Sequence, residues 1–260
     1  MNIFLEDTWD ATDVIDYCHD HGYNCTVLSP SQLRSMESED FIKYTYLCNT
    51  DIVQEHLRKL ALLHSHSYKN NINNLVPDTY ESTYTFGRTI TKMPFSDVKK
   101  ISKISPIFIK PLSNDKSFDG QIYYQDDYFL GQLPRDDEIV YTSECVKFMA
   151  EYRLLIGYSE NEKRMKLYGH GLISGHNMDD IFQSYHTQSY INKVIQWTPE
   201  KQFRCVDIGY TKTGWQIVEI NPPFSLDDHH IPLHQYMDFV IGACNNIKNQ
   251  ILLESNPENF

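Results

Sequence analysis

No stretch of this 260-residue chain approaches the roughly 18 consecutive apolar residues that a membrane-spanning helix needs. Positive charge is also scarce. Lys and Arg number 23 against 35 Asp and Glu, a formal net charge of −12, which excludes broad affinity for nucleic acid backbones. Six cysteines occur, but none stands in a CxxC or CxH spacing, so a structural zinc site is not expected. The opening "MNIFLEDTWDATD" turns acidic almost at once and fits neither a secretion signal nor an Arg-rich transit peptide. Reduced, mostly buried thiols in a cytoplasmic protein are therefore expected. There is no Walker-type glycine loop and no GxGxxG, so neither P-loop nor Rossmann chemistry is indicated. Internal repeats and long low-complexity segments are also missing.

What remains is an ordinary apolar share, many aromatics (18 Tyr) and length enough for one large domain or two to three lobes. "NIFLE" reads as a strand, "ATDVIDYCHDHG" as a helix stopped by Gly22, and "CTVLSP" as a second strand. Residues 38 to 64 carry three-to-four spacing through Phe41, Tyr44, Leu47 or Cys48, Val53, Leu57, Leu60 and Leu63, which predicts helix. "HSYKNNINN" is a polar connection, with His64 and His66 at a helix end. "LVPDTY" restarts the pattern, and a helix is expected near Phe95 to Ile101. Strands then dominate. "PIFIKP", "GQIYYQ", "YFLGQ" and "EIVYTSECVKF" read as neighbours in a mainly antiparallel sheet. Two strands around a polar turn follow in "EYRLLIGYSENEKRMKLYGHGLI". After them come a helix at "QSYINKVIQW", a hairpin at "FRCVDIGYTKTGWQIVEIN" and a terminal amphipathic helix. The expected class is α+β, or mixed α/β.

Three places carry residues that a fold alone does not require. In the hairpin, Asp207 lies between Val206 and Ile208, and Glu219 and Asn221 lie among aliphatics on the return strand. Period-2 alternation puts Trp215, Ile217, Glu219 and Asn221 on one face, and the turn at Lys212 to Gly214 brings Asp207 within about a residue of Glu219. Either this is a solvated hairpin face paired with Lys212 or Arg204, or it is an oxygen-only cluster suited to Mg²⁺ or Mn²⁺. Second, Lys110 ends the run Ile107, Phe108, Ile109 and is pinned by Pro111. The loop after it holds Ser113, Lys116, Ser117 and Gly120. Such a lysine either snorkels to solvent or, with its loop, covers phosphates. Third, Glu151 and Arg153 at i, i+2 are either a surface pair or a cleft-facing phosphate site.

Taken in order, a strand-Lys-Pro, a Lys/Gly loop, "SECV", "EYR", an Asp strand and "VEIN" resemble the ATP-grasp superfamily of ATP-dependent carboxylate–amine ligases. The resemblance covers roughly Leu75 to Ser225, and "VEIN" after the Asp strand is its most specific piece. It implies two β-rich lobes clasping a nucleotide, preceded by a short α/β domain: residues 1–74, then a small lobe over 75–146 and a large lobe over 147–260. It implies that Lys110 touches the α- and β-phosphates, that Lys116 closes over them with Ser113 in its loop, and that Glu144, Cys145 and Val146 form the adenine hinge. Asp207, Glu219 and Asn221 would hold Mg²⁺ (or Mn²⁺). Arg153 would sit near the γ-phosphate or the acyl intermediate, Lys166 near the same region, and Glu151 near ribose or beside Arg153.

The implied reaction turns a carboxylate into an acyl phosphate with release of ADP, and an amine then displaces phosphate to give an amide or peptide-like bond. The implied partners are ATP and an unidentified carboxylate and amine, possibly carried on a protein or peptide, with no nucleic acid and no membrane. A kinase-like phosphotransferase of the same fold and a non-catalytic nucleotide-binding module are the alternatives. A metal-dependent hydrolase built on "DDHHIPLHQ" (Asp227, Asp228, His229, His230, His234) would leave "FIKP" and the Lys116 loop unexplained; that segment reads instead as a polar, substrate-facing cap before the last helix. Tyr123–Tyr124 and Tyr185–His186 read as packing pairs.

Overall fold

The computed structural model describes residues 1–7, 12–41, 43–48, 50–63, 86–112, 118–125, 129–199, 201–223 and 229–254. The connection at residues 64–74, the restart at "LVPDTY", and Ser113, Lys116, Ser117, Asp227 and Asp228 lie outside these residues.

The chain opens on β1 (Asn2–Glu6), α1 (Thr12–Asp20) and β2 (Asn24–Leu28). Next come α2 (Pro30–Ser35), α3 (Ser38–Phe41), β3 (Thr45–Leu47) and α4 (Thr50–Leu63). α2 starts on a capping box, in which Ser29 accepts from the Gln32 backbone and Gln32 accepts from the Ser29 backbone. The continuous helix expected over 38–64 is broken in two by β3. All three β3 residues are buried, so the strand shows no period-2 signal. It pairs parallel to β1 and completes a sheet of order β2-β1-β3. Tertiary pairing has overridden local periodicity here.

β4 (Thr91–Pro94), α5 (Phe95–Ser102), β5 (Ile107–Pro111), β6 (Gln121–Tyr123) and β7 (Ile139–Ser143) follow. They form an antiparallel sheet of order β4-β7-β5-β6 around Phe95, Val98, Ile109 and Val140. The described part of "YFLGQ" is not a strand. Leu130 donates its N–H to Gln121 Oε1 (3.0 Å) and its carbonyl accepts from Gln121 Nε2 (2.8 Å), so a side chain replaces the ladder.

β8 (Ala150–Ser159), β9 (Arg164–Gly175), β10 (Arg204–Thr211) and β11 (Gly214–Asn221) make the third sheet, of order β11-β10-β8-β9. One face packs Tyr152, Leu154, Val206, Ile208, Ile217 and Ile220 against α6 (Asp179–Phe182) and α7 (Tyr185–Trp197). On the other face, Leu155 and Cys205 join a core shared by the terminal helix α8 (Leu233–Glu254) and the β2-β1-β3 sheet. First and last parts of the chain therefore bury one apolar mass together.

His56 is fully buried in that core, stacked on Phe41 with ring centroids 4.0 Å apart. Its Nε2 donates to the Leu33 carbonyl (2.9 Å), which leaves Nδ1 to accept from the Ser38 hydroxyl (3.0 Å). Burial holds the imidazole below its ordinary value, with the Leu33 bond opposing. The native state therefore favours neutral His56. Its contribution is complete above the unfolded value of about 6.5 and is lost as pH falls below it. Denaturation midpoints should fall between about pH 7.5 and 5.5, and more steeply than in a His56→Gln variant that is less stable at the upper end of that range. Parallel slopes would refute this.

Candidate active site

Between the β4-β7-β5-β6 and β11-β10-β8-β9 sheets lies a cleft of about 590 Å³, lined from both sides. Phe108 and Lys110 of β5, Ile122 of β6 and Ser143 of β7 form one wall. Glu151 and Arg153 of β8, Asp207 of β10 and Glu219 of β11 form the other, with Glu144, Val146 and Phe148 at the connection.

The hairpin places its polar residues by an irregularity. Asp207 faces Glu219, but the next β10 residue, Ile208, faces Ile217, so Val218 is an extra residue in β11. Such a bulge reverses the side-chain alternation beyond it. Ile217 and Ile220 thus share the core face, while Glu219 and Asn221 turn into the cleft. The single face expected for Trp215, Ile217, Glu219 and Asn221 is corrected: Trp215 and Ile217 belong to the core, and the polar pair lies on the other side.

The charged groups neutralise one another across the cleft. Arg153 grips Asp207 with two bonds, Nε to Oδ1 at 2.8 Å and Nη2 to Oδ2 at 2.9 Å. Both side chains are more than nine-tenths buried. Lys110 donates to Glu219 Oε2, so a residue of one sheet meets a residue of the other. Asn221 Nδ2 donates to Asp207 Oδ2 (3.0 Å) and Glu219 Oε1 (2.7 Å). Burial pushes the Asp207 carboxyl up to about 6, further than Arg153 pulls it down, and Glu219 adds to the rise. Burial acts on Glu219 in the same sense, but Lys110, Asn221 and Arg153 outweigh it and hold that carboxyl at about 2. Glu151 is raised by burial and by Glu219, with Arg88 opposing.

The structure thus brings Lys110, Glu144, Val146, Glu151, Arg153, Asp207 and Glu219 to one cavity, with Asn221 bonded to two of them. Cys145 is exposed and is not part of the lining. Lys166 is not brought to the cleft. It lies near the β8–β9 turn, opposite Gly157, and donates to Glu162 (2.8 Å). Of the histidine segment, His229 lines the cleft, and His234 is exposed at the start of α8. The close approach of that segment to β9 is built in, since a Cβ on Gly171 would fall 2.0 Å from the His229 carbonyl oxygen.

Sequence reasoning missed Arg88. It is 8% exposed, donates to Val218 O (2.7 Å) and Ile217 O (3.4 Å), and lies over the rings of Phe86 and Phe148. In "FGRTITK" the only local signal is the glycine before it.

Among the described residues no three His, Cys, Asp or Glu side chains are grouped to hold a metal. Asp207, Glu219 and the Asn221 amide are nonetheless an oxygen-only donor set. That fits Mg²⁺, which keeps several waters and takes one or two carboxylates together with substrate phosphates. Among the described residues no helix is long and apolar enough to cross a membrane.

The model of one family, an ATP-grasp domain that is the second family of its clade, matches residues 86–239. The fold is similar to N5-carboxyaminoimidazole ribonucleotide synthetase from Thermotoga maritima, with a TM-score of 0.57 and 15% identity over 94% of this chain and 76% of that one. It is also similar to N5-carboxyaminoimidazole synthase from Aspergillus clavatus in complex with ADP and 5-aminoimidazole ribonucleotide, with a TM-score of 0.55 and 10% identity over 94% and 76% of the two chains. The Staphylococcus aureus N5-carboxyaminoimidazole synthetase aligns at a TM-score of 0.52 and 12% identity, over 85% and 70%. At these identities the likeness is one of fold. Comparison with curated protein sequences finds no match.

Proposed function

The chain belongs to this ATP-grasp domain family, and from that premise we propose that it is an ATP- and magnesium-dependent, ADP-forming carboxylate–amine ligase. The observation that carries the reading is the contact of Lys110 with Glu219. It joins the strand-Lys-Pro motif of one sheet to the "VEIN" motif of the other inside one cleft.

In the proposed reaction a substrate carboxylate oxygen attacks the γ-phosphorus. The new O–P bond forms as the bond to the β,γ-bridging oxygen breaks, and ADP leaves. The amine nitrogen then attacks the acyl carbon, the C–O bond to phosphate breaks, and phosphate leaves as the amine gives up a proton. Such chemistry calls for positioning and charge neutralisation more than for a covalent side-chain partner. Lys110 and Arg153 supply the positive charge for the phosphates, and Lys116 and Ser113 belong to the loop that follows β5. The segment from Glu144 to Val146 receives the adenine through its backbone, and Glu151 reaches ribose or steadies Arg153. Asp207, Glu219 and Asn221 would hold Mg²⁺, whose charge offsets that of the phosphates when it is bound.

This reading is tested by incubating the chain with ATP, Mg²⁺ and pools of carboxylates and amines. Carboxylate-dependent ADP and phosphate are expected. Formation of AMP would sink the acyl-phosphate mechanism.

A further inference from the structure

We propose that Arg88 is a positioning residue that holds the β11 bulge and thereby keeps Glu219 and Asn221 turned into the cleft. The proposal rests on the reading of those two residues as metal ligands.

In a regular strand, successive carbonyls point to opposite sides, so one side chain cannot gather two in a row. Arg88 does gather two in a row, bonding Val218 O at 2.7 Å and Ile217 O at 3.4 Å. These carbonyls belong to the extra residue and to the one before it, where the β10 register jumps from Ile208↔Ile217 to Asp207↔Glu219. The planar guanidinium fork suits two neighbouring acceptors, whereas an ammonium offers a single point of charge. β11 is the outer strand of its sheet, so no further strand closes that side of the bulge.

The approach of Arg88 is itself arranged. Gly87 adopts φ 60°, and a Cβ there would fall 2.1 Å from Gln216 Nε2, so only glycine lets the segment lie this close to β11. On its other side, the Thr89 N–H donates to Glu144 Oε2 (2.9 Å). Residues 87–89 thus tie the hinge segment to the metal-bearing strand. Straightening the bulge would return Glu219 to the core-facing side of β11, which is why one lost fork reaches the site without touching a ligand.

The test is Arg88→Lys, which keeps the cleft's positive charge but not the fork. Binding of a nonhydrolysable ATP analogue is measured by calorimetry with EDTA and with Mg²⁺, alongside thermal melting. The gain in affinity that Mg²⁺ confers on wild type should shrink by about tenfold or more in Arg88→Lys, the size typical of losing support behind a metal ligand. The metal-free affinity should stay within about twofold, and melting should shift by no more than roughly 5 °C. A full Mg²⁺-dependent gain in Arg88→Lys overturns the proposal, and so do equal losses with and without metal or a larger fall in melting temperature, which would assign Arg88 to general stability. A wild-type chain whose nucleotide affinity ignores Mg²⁺ overturns both this inference and the metal reading beneath it.

Discussion

Glu219→Gln should reduce turnover by roughly 10²- to 10³-fold or more while leaving the protein folded, the size associated with losing one preorganised charge-stabilising group. The substitution keeps the side chain's shape and its ability to accept from Asn221, but it removes the negative charge. That charge is secure in the native protein, because Lys110, Asn221 and Arg153 hold the carboxyl at about 2 despite its burial. Raising the pH of the assay therefore cannot substitute for it. The cost in stability should be small by comparison. Lys110 and Glu219 are each more than a quarter exposed, and partly solvated pairs contribute about 0–1 kcal/mol. The experiment compares substrate-dependent ADP release with the melting temperature. Wild-type-like turnover in Glu219→Gln would remove the metal role. A collapse of the fold would mean that Glu219 is structural first.

The hairpin that carries this residue is legible in the sequence as a hairpin, and the facing of Asp207 and Glu219 follows from its short turn. Which side of β11 they occupy is not legible. Alternation predicts one face for Trp215, Ile217, Glu219 and Asn221, and a single extra residue, Val218, cancels that prediction. A bulge is decided by what the two strands and their neighbours need, and here one neighbour is Arg88, 130 residues earlier in the chain than Val218. β3 was hidden for a related reason. Thr45, Tyr46 and Leu47 are buried on every side, so neither a helical nor a strand period marks them, and only pairing with β1 makes them a strand. Strand ends defined by proline or by a polar turn, such as Lys110–Pro111 and the β8–β9 turn, are readable because the local chemistry alone sets them.

The motif residues also take partners that the sequence does not announce. Reading Lys110 and Arg153 as phosphate ligands, and Asp207 and Glu219 as metal ligands, leaves four charges waiting for a substrate. The fold instead pairs them as two cations on two carboxylates. An empty cleft holding all four unpaired would carry a desolvation penalty that no hydrogen bond offsets. Pairing keeps the site foldable, and nucleotide binding would exchange partners rather than create charge. The resemblance identifies the residues, while the resting arrangement comes from the electrostatics of burial.

That pairing makes Arg153→Ala the second large effect. Its two bonds to Asp207 lie at the bottom of the cleft with both partners buried, and deleting one member of such a pair strands the other. Losses of this kind run to about 3–5 kcal/mol, and for a chain of this size that is a drop in melting temperature on the order of 10 °C. Asp207 is already pushed up to about 6 by burial with Arg153 present. Without Arg153 the carboxylate keeps the Asn221 amide as a donor but loses its counter-charge, so protonation becomes its cheapest escape. Arg153→Met with Asp207→Leu should therefore be more stable than Arg153→Ala alone, since two apolar groups leave no buried charge behind. Both variants should be inactive. Urea denaturation of the two single variants and the double variant measures the coupling directly. A double variant no more stable than Arg153→Ala would show that the pair's loss is a packing effect, with the stranded charge playing no part.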